Sequence, residues 1–481
     1  IFQRVLVDGS RLNQLGVADS ANAGSVTQRQ LDARTSYRPG ELLEAVPGLI
    51  VSQHSGEGKA NQFYLRGFNL DHGTDLRTTV DEMPVNQRSH GHGQGWTDLN
   101  FLIPELAMRL DYKKGPYAAA QGDFSSAGAA SVVYANRLTQ GVASLGIGQN
   151  GFRRALLADT RDAGDGSLLY ALEAQHNDGP FTQPDRYRKR NGVLRYSQGY
   201  ANNGFNVTAM AYDASWNATD QIPLRAVRDG SLGRFDAIDA SDGGKAQRYS
   251  LSGAWRQTTD DVSSRVSAYV IANRLALFSN FTYAMDDPVN GDQFAQPDRR
   301  VTAGLDASHT WHRHTDRGSS DTTFGVQIQN DNIHNGLYHT RQRQIVSTTR
   351  QDHIVETSIG VYGENSTRWS RSLRTVAGLR ADAYRFDVRS DRAANSGTAS
   401  DHLFSPSLSV IAGPWRETEA YVNIGNGFHS NDARGTTITL DPKTGEAADK
   451  VTSLVRSRAL EAGLRSAAIA GLQTSLSLYR L

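Results

Sequence analysis

LLYALEAQ, Leu168 to Gln175, is the stretch that decides the fold. Leu168, Tyr170, Leu172 and Ala174 fall on one side of an extended chain, and Glu173 and Gln175 fall on the other. That period of two marks a β-strand. The same pattern recurs further on. Val266, Ala268, Val270 and Ala272 oppose Arg265, Ser267, Tyr269 and Asn273, and near the end Leu472, Thr474, Leu476 and Leu478 oppose Gln473, Ser475, Ser477 and Tyr479. A soluble β-sandwich would alternate in this way too, so the connections must choose between the two.

Beyond about residue 140, tight turns at DAGDG (162–166), YANNG (200–204), TDRGSS (315–320), SRS (370–372) and PWRE (414–417) alternate with long excursions. The excursions cover 177–191, 217–245, 285–299, 334–352 and 431–454. Short connections at one end and long ones at the other are the mark of an outer-membrane barrel, with periplasmic turns and extracellular loops. The predicted fold is therefore an all-β transmembrane antiparallel β-barrel. About fifteen strands are legible by residue 481, and LSLYRL at the end reads as mid-strand. Because single-chain bacterial barrels close with an even strand number, further strands are expected beyond it. A closed barrel of fourteen or sixteen strands is the alternative.

The bulk properties agree. Of 481 residues, 51 are Lys or Arg and 50 are Asp or Glu, a net charge of +1 that argues against a nucleic-acid-binding surface. Absence of cysteine removes thiol nucleophiles and disulfides. No run reaches the roughly 18 apolar residues of a membrane helix. A mean hydropathy of −0.51 suits a barrel, in which only every second strand residue meets lipid. IFQRVLVDGS at the start carries no basic-then-apolar secretory signal, so any such signal is expected to have been cleaved.

Residues 36–137 follow a different grammar. ELLEAVPGLIVS (41–52) reads as a short helix running into a strand, broken at Pro47 and Gly48. NQFYLRGF and TTVDEMPV read as strands, and DLNFLIPELAMRLDYKKGPYAAAQG as a helical piece followed by a strand. A small α+β domain ahead of a wide barrel belongs in the lumen, as in plugged barrels of about 22 strands. The chain divides into an N-terminal segment (1–35), this α+β domain (36–137) and the barrel (138–481).

At this point ELLEAVPGLIVS, FYLRGFN (63–69), VDEMPVN (80–86), DLNFLIPELAMRLDYKKGPYAAAQG and GAASVVYANR, in that order and spacing, resemble the plug of TonB-dependent outer-membrane receptors. GFHSNDARG (427–435) resembles a barrel stretch of the same class. Glu82 replaces the family's usual Gly, Lys114 its usual Arg before Gly-Pro, and Ala-Ala near Ala129 its usual Gly-Gly. The resemblance implies a 22-stranded barrel closed by the plug, in the outer membrane of a Gram-negative bacterium. It also implies active import of a scarce nutrient (a siderophore, a metal chelate or a small organic), driven by TonB with ExbB and ExbD. The passive alternative is a pore or structural barrel with a degenerate plug. RVLVDG, with Val5, Leu6 and Val7, is the candidate TonB box; the other reading is an N-terminal segment that happens to contain three apolar residues.

Under this resemblance, two plug loops face the extracellular vestibule. FNLDHGTD offers Asp71, His72 and Asp75. NQRSHGHGQGW (86–96) offers Arg88 as a carboxylate or phosphate fork, His90, His92 and Gln94 as polar groups, and Trp96 as a flat apolar face. Three readings compete for this loop. His90 and His92 bind a transition metal, with His72 and Asp71 nearby; the loop hydrogen-bonds an organic nutrient or chelate; or it only packs against the barrel wall. An H-x-H pair lacks third and fourth metal ligands at readable spacing. A hydrolase signature would require Asp and His where Gly93, Gln94, Gly95 and Trp96 follow, so no enzyme activity is expected. His334, His339 and His429, in or beside predicted extracellular loops, are further cargo contacts. No cofactor is required, and a transition metal or its chelate enters only as cargo. Arg186 to Arg190 form a basic run, either a solvated loop or a contact for lipopolysaccharide. A surface lipoprotein is a further candidate partner.

Overall fold

The computed structural model describes residues 22–53, 56–200, 203–315 and 318–481. The candidate TonB box, Val5 to Val7, lies outside the described residues.

Fifteen antiparallel strands form one sheet in strict chain order, each bonded to the next. They are β9 (Val142–Ile147), β10 (Arg153–Ala163), β11 (Gly166–Asn177), β12 (Tyr187–Tyr200), β13 (Asn203–Asn217), β14 (Gly243–Thr258), β15 (Val262–Ser279) and β16 (Phe294–Thr315). β17 (Gly318–Arg341), β18 (Gln344–Ser370), β19 (Leu373–Ser390), β20 (Gly397–Trp415), β21 (Thr418–Ser430), β22 (Leu454–Ile469) and β23 (Leu472–Arg480) complete it. Burial alternates along these strands as the sequence pattern predicts. On β11, Leu172 is 62 % exposed on the outer face while Glu173, turned inward, is 4 % exposed. An apolar outside around a polar inside is a soluble protein inverted, and it suits a wall that meets lipid. Four of the six tryptophans, Trp255, Trp311, Trp369 and Trp415, point outward near the short-turn ends of their strands. This is the girdle that aromatic rings form at a membrane interface. No helix among the described residues is long and apolar enough to cross a membrane.

The N-terminal region folds inside this sheet. β1 (Ala23–Thr27), β5 (Leu76–Val80), β6 (Met83–Pro84), β7 (Ala107–Lys114) and β8 (Gly128–Tyr134) make a mixed sheet in the order β1-β7-β8-β5-β6, with β5 and β8 parallel. β2 (Leu49–Ser52), β3 (Gln62–Leu65) and β4 (Phe68–Asn69) make a second. Phe63, Leu65, Leu76, Met83 and Leu102 are almost wholly buried between them. Their cluster runs on into inward residues of β10 to β15, among them Leu169, Met210, Trp216 and Ile271, so one side of the plug is seated by apolar packing. Asp81 and Glu82, with φ of 49° and 72°, turn the chain between β5 and β6. Glycine adopts such angles without strain. Here Glu82 occupies the position instead, and its carboxylate pairs with Arg256 and Arg265 of the wall.

Four sequence expectations are corrected. The plug sheet starts at Ala23, upstream of the boundary placed at residue 36, because β1 pairs along β7. The predicted helical piece before β7 is a single 3-10 turn, Pro104–Leu106. Residues 334–352 are not a loop: β17 and β18 continue through them to a two-residue turn at Gln342 and Arg343, both at positive φ, an arrangement that matches sheet twist. Arg186 to Arg190 are not all loop either. β12 begins at Tyr187, so Arg188 and Arg190 point outward while Lys189 turns inward to Glu173, 3.0 Å away.

If the outer face meets hydrocarbon, a charge placed there is costly. Leu251→Arg is expected to lose about 2–4 kcal/mol of unfolding free energy in lipid vesicles. Equilibrium denaturation would check it, and an unchanged midpoint would contradict the assignment of that face.

Candidate functional site

The two apical plug loops, 71–75 and 85–97, are stitched into one platform. Asn86 is the hub: its amide donates to Gly73 O (2.9 Å) and Leu76 O (2.8 Å) and its Oδ1 accepts from Thr78 N–H (2.7 Å). Thr97 N–H donates to His72 O at 2.7 Å, and Thr74 Oγ1 to Gln94 O at 2.6 Å. Gly73 (φ 133°) lies so close to Thr97 that a Cβ would overlap its hydroxyl, so the crossing of the loops needs glycine there.

Trp96, buried, stands at the centre of the platform with three imidazoles around it. His90 stacks on the indole at 4.9 Å, and His72 and His92 approach at 4.8 and 5.0 Å. Hydrogen bonds fix the tautomers. His90 Nδ1 accepts from His92 N–H at 3.2 Å, so its proton sits on Nε2, which is buried and unpartnered. The Gln296 amide donates to Gly91 O at 2.8 Å and thereby turns its Oε1 to accept from His92 Nδ1–H at 2.9 Å. His72 Nδ1–H donates to Asn61 O at 3.0 Å. His90 Nδ1 is thus turned to its own loop and His92 Nδ1 to the wall. Among the described residues no three His, Asp or Glu side chains are grouped to hold a metal ion.

Arg88 is not offered to solvent. It is buried, with Nε donating to Asp123 Oδ2, Nη1 to Ser358 Oγ and Nη2 to Tyr384 OH, each at 2.9 Å. Its guanidinium fastens the plug to β18 and β19. Asp123 in turn accepts from the backbone N–H and hydroxyl of Ser430 at 2.7 Å. Gln94 is likewise consumed, donating to Asn431 Oδ1 at 2.8 Å and accepting from Asp432 N–H at 3.2 Å. Of the predicted plug contacts, Asp71 is the exposed one, with 55 % of its side chain accessible, and His92 is half-buried. Asp75 accepts from His429 Nδ1–H at 3.0 Å, which brings that barrel histidine to the platform. The other two barrel histidines do not reach it. His334 points outward, stacked on His353 at 4.2 Å, because its neighbours Ile333 and Asn335 take the inward positions of β17. His339 bonds Gly291 O at 2.6 Å in the adjoining loop.

Sequence reading missed the wall residues that hold the platform. Arg300, paired in a fork with Asp298, donates from Nη1 to Arg88 O at 2.6 Å. Arg434, forked on Asp432, donates to His90 O at 3.0 Å, and Asn335 donates to Ser89 O at 3.1 Å. Ser89 Oγ donates to Glu356 at 2.8 Å and accepts from Ala433 N–H at 2.8 Å. A signal for them was legible: D-x-R and R-x-D at 298–300, 350–352 and 380–382 place both charges on one face of an extended chain, while D-x-R at 432–434 sits at the start of the helix Ala433–Thr437.

Burial drives the pKa of His92 down to about 3, with Lys59 and His72 adding to the effect, and burial with Arg300 and His92 nearby pushes His90 well below its usual value. Both are neutral when folded and regain an ordinary value near 6.5 when unfolded. The unfolded chain thus binds more protons below pH 6.5, so plug stability falls as pH drops from about 6.5 toward 3. Hydrogen exchange of the plug against pH should show this loss, flattened in His90→Gln/His92→Gln protein. A slope unchanged by the substitutions would refute it.

Comparison with known proteins closes the assignment. Residues 17–129 match the family model described as the TonB-dependent receptor plug domain, and residues 143–481 the one described as TonB dependent receptor-like, beta-barrel. The vitamin B12 transporter BtuB of Vibrio vulnificus (strain CMCP6) is 24 % identical over 284 residues, 58 % of this chain and 43 % of that protein, so the match spans less than half of the relative. The unliganded ferric citrate transporter FecA superposes with a TM-score of 0.77 at 14 % identity, covering 95 % of this chain and 69 % of that one. The copper transporter OprC gives 0.73 at 18 %, covering 96 % and 71 %. With a plug model and a barrel model matched in sequence order over most of its length, and a plug lodged within its fifteen-stranded wall, the chain belongs to the TonB-dependent receptor family.

Proposed function

We propose that this receptor is an active importer in the outer membrane of a Gram-negative bacterium, energised by TonB with ExbB and ExbD. Its cargo is read as a small polar organic or a metal chelate such as a siderophore. The observation that carries the reading is the plug lodged within the wall, packed against and hydrogen-bonded to β10 to β15 on one side and hydrogen-bonded to β16 to β21 on the other. A plug fastened to the wall in this way argues against the passive pore. Cargo must instead shift the plug between states, and it can do so only by binding one state better than the other.

Asp71 and His92 are the groups assigned to cargo, because they retain exposure while Arg88, His90, Gln94 and Trp96 hold the platform. His92 keeps a lone pair on Nε2 and Asp71 a carboxylate, a pair suited to hydroxyl, amide or ammonium donors and to the ligand shell of a chelated metal. BtuB, FecA and OprC, named for vitamin B12, ferric citrate and copper, support this range of cargo without choosing within it.

Uptake by cells expressing the full receptor, screened over iron chelates, copper and cobalamins, should stop when the proton gradient is dissipated. Uptake that persists would return the reading to the passive pore. Once a cargo is found, Asp71→Ala/His92→Ala is expected to weaken its binding by about tenfold or more, at roughly 1 kcal/mol or more per lost hydrogen bond. Binding unchanged in calorimetry would move the site to the barrel loops. Arg88→Met should cost about 3–5 kcal/mol by stranding Asp123 and Glu356 without their cation, read as a lower melting temperature and higher conductance in planar bilayers.

A further inference from the structure

Below the platform, two polar cavities lie between plug and wall. The upper one, about 30 Å³, is bounded by β5 of the plug and by wall strands β15 to β19, with Arg88 and Tyr384 among its lining. The lower one, about 70 Å³, reaches the short-turn ends of β12 to β15 at Gln198, Gly204 and Arg256. Glu82 and Tyr269 line both, so these two side chains form the partition between them. The pair sits at the seam where the apolar seat on β10 to β15 gives way to the hydrogen bonds from β16 onward.

Charge in the upper cavity does not close. Arg88 is paired with Asp123, and Arg380 is forked on Asp382. Arg77, on β5, makes no hydrogen bond or ion pair among the described residues, and Asp306 and Asp123 act on it only from a distance. Across the same cavity, Asp306 Oδ2 accepts from the Gln327 amide at 2.7 Å, while its Oδ1 is buried without a hydrogen bond, 3.8 Å from Arg265. A cation and a carboxylate oxygen that face one enclosed space without meeting are satisfied by what enters between them.

The partition is held under strain. Glu82 has a φ of 72°, which a residue with a side chain keeps only where its surroundings impose it. Arg256 and Arg265 impose it by engaging the two carboxylate oxygens, and Arg265 also leans toward Asp306. Releasing that one carboxylate would join the cavities by movement of a two-residue turn, with the sheets of the plug intact.

We infer that these cavities are the closed form of the route by which cargo leaves the platform, with Glu82 as its lower gate and Arg77 as the contact for an anionic oxygen of the cargo in transit. A guanidinium with its donors free is suited to such an oxygen. The inference rests on the import reading above and adds to it the seam, the gate and the charge of the group that passes.

The test uses the full receptor purified in detergent. These 481 residues contain no cysteine, so a thiol introduced among them reports on its own position. Gln329→Cys places a reporter in the upper cavity, and Ser405→Cys places a control in the separate cavity beside β20. Each is labelled with a sulfonate and with a trimethylammonium methanethiosulfonate, and rates are taken relative to a free thiol. Glu82→Gln, which keeps the size, and Glu82→Gly, which relieves the backbone, are expected to speed labelling of Gln329→Cys about tenfold, the effect of one charge-assisted hydrogen bond. The sulfonate should be favoured there, and Arg77→Gln should abolish that preference. A rate unchanged by both Glu82 variants would overturn the gate, as would an equal rise at Ser405→Cys, the sign of a plug loosened throughout. A preference for the sulfonate that survives Arg77→Gln would overturn the anion contact. Labelling in cells separates the two readings. Dependence on Glu82 but not on the proton gradient would overturn active import and leave the route standing, whereas dependence on the gradient but not on Glu82 would overturn this inference alone.

Discussion

The structure turns on how arginines are held inside a wall whose outer face is greasy. A lone guanidinium buried in the lumen would cost several kcal/mol. In four places the carboxylate that neutralises it lies two residues away on the same strand or turn: Asp298 for Arg300, Asp352 for Arg350, Asp382 for Arg380 and Asp432 for Arg434. The fork geometry does more than neutralise. With Nε and one Nη on the carboxylate of Asp298 or Asp382, the remaining Nη of Arg300 or Arg380 is aimed at the plug. Period two, which makes the wall two-faced, also makes the three strand pairs possible, since residues two apart share a face, while Asp432 and Arg434 meet at a helix start.

The plug is consequently seated in two different ways. Against β10 to β15 it shares an apolar cluster, pinned by a few ion pairs from Asp81, Glu82 and Glu105 to wall arginines. Against β16 to β21 it is bound by directional, charge-assisted hydrogen bonds through Arg88, Ser89, Asp123 and the wall arginines. Charge-assisted bonds are strong only in good geometry. A displacement that spoils one is therefore apt to release several at once, because Asp123 serves Arg88, Tyr384 and Ser430 together. The lumen on that side behaves as a latch, while the opposite side combines apolar contact with fewer polar ties.

Much of this was legible beforehand, for physical reasons. Lipid imposes strict alternation, so strands inside the membrane announced themselves, and the sorting of short and long connections gave the two ends. Where the wall rises beyond the lipid the constraint lapses. Residues 334–352 lack apolar alternation and read as loop, although their backbone continues the ladder through two bulges. The plug pieces were recognisable, yet β1 was not, since AGSVT becomes a strand only because the β7 edge is there to receive it. The two apical loops are adjacent in sequence and in space, whereas the partners of their side chains are set by distant strands. A fork such as Arg88 suits a cargo carboxylate and Asp123 equally well, and only packing decides which it meets. Nor could the sequence foresee that the Gln296 amide and the His92 backbone would be the partners of the two His-Gly-His rings.

One detail of the latch has an evolutionary consequence. Arg300, Arg434 and Asn335 bond the carbonyl oxygens of residues 88 to 90, atoms that every amino acid carries. The exposed positions beside them, Asp71 and the flank of His92, are thus free to change chemistry while the closure beneath keeps its own atoms. A gate whose hinges are main chain and whose face is side chain can be refitted for a new solute by substitution at the surface, without each new specificity having to reinvent the door.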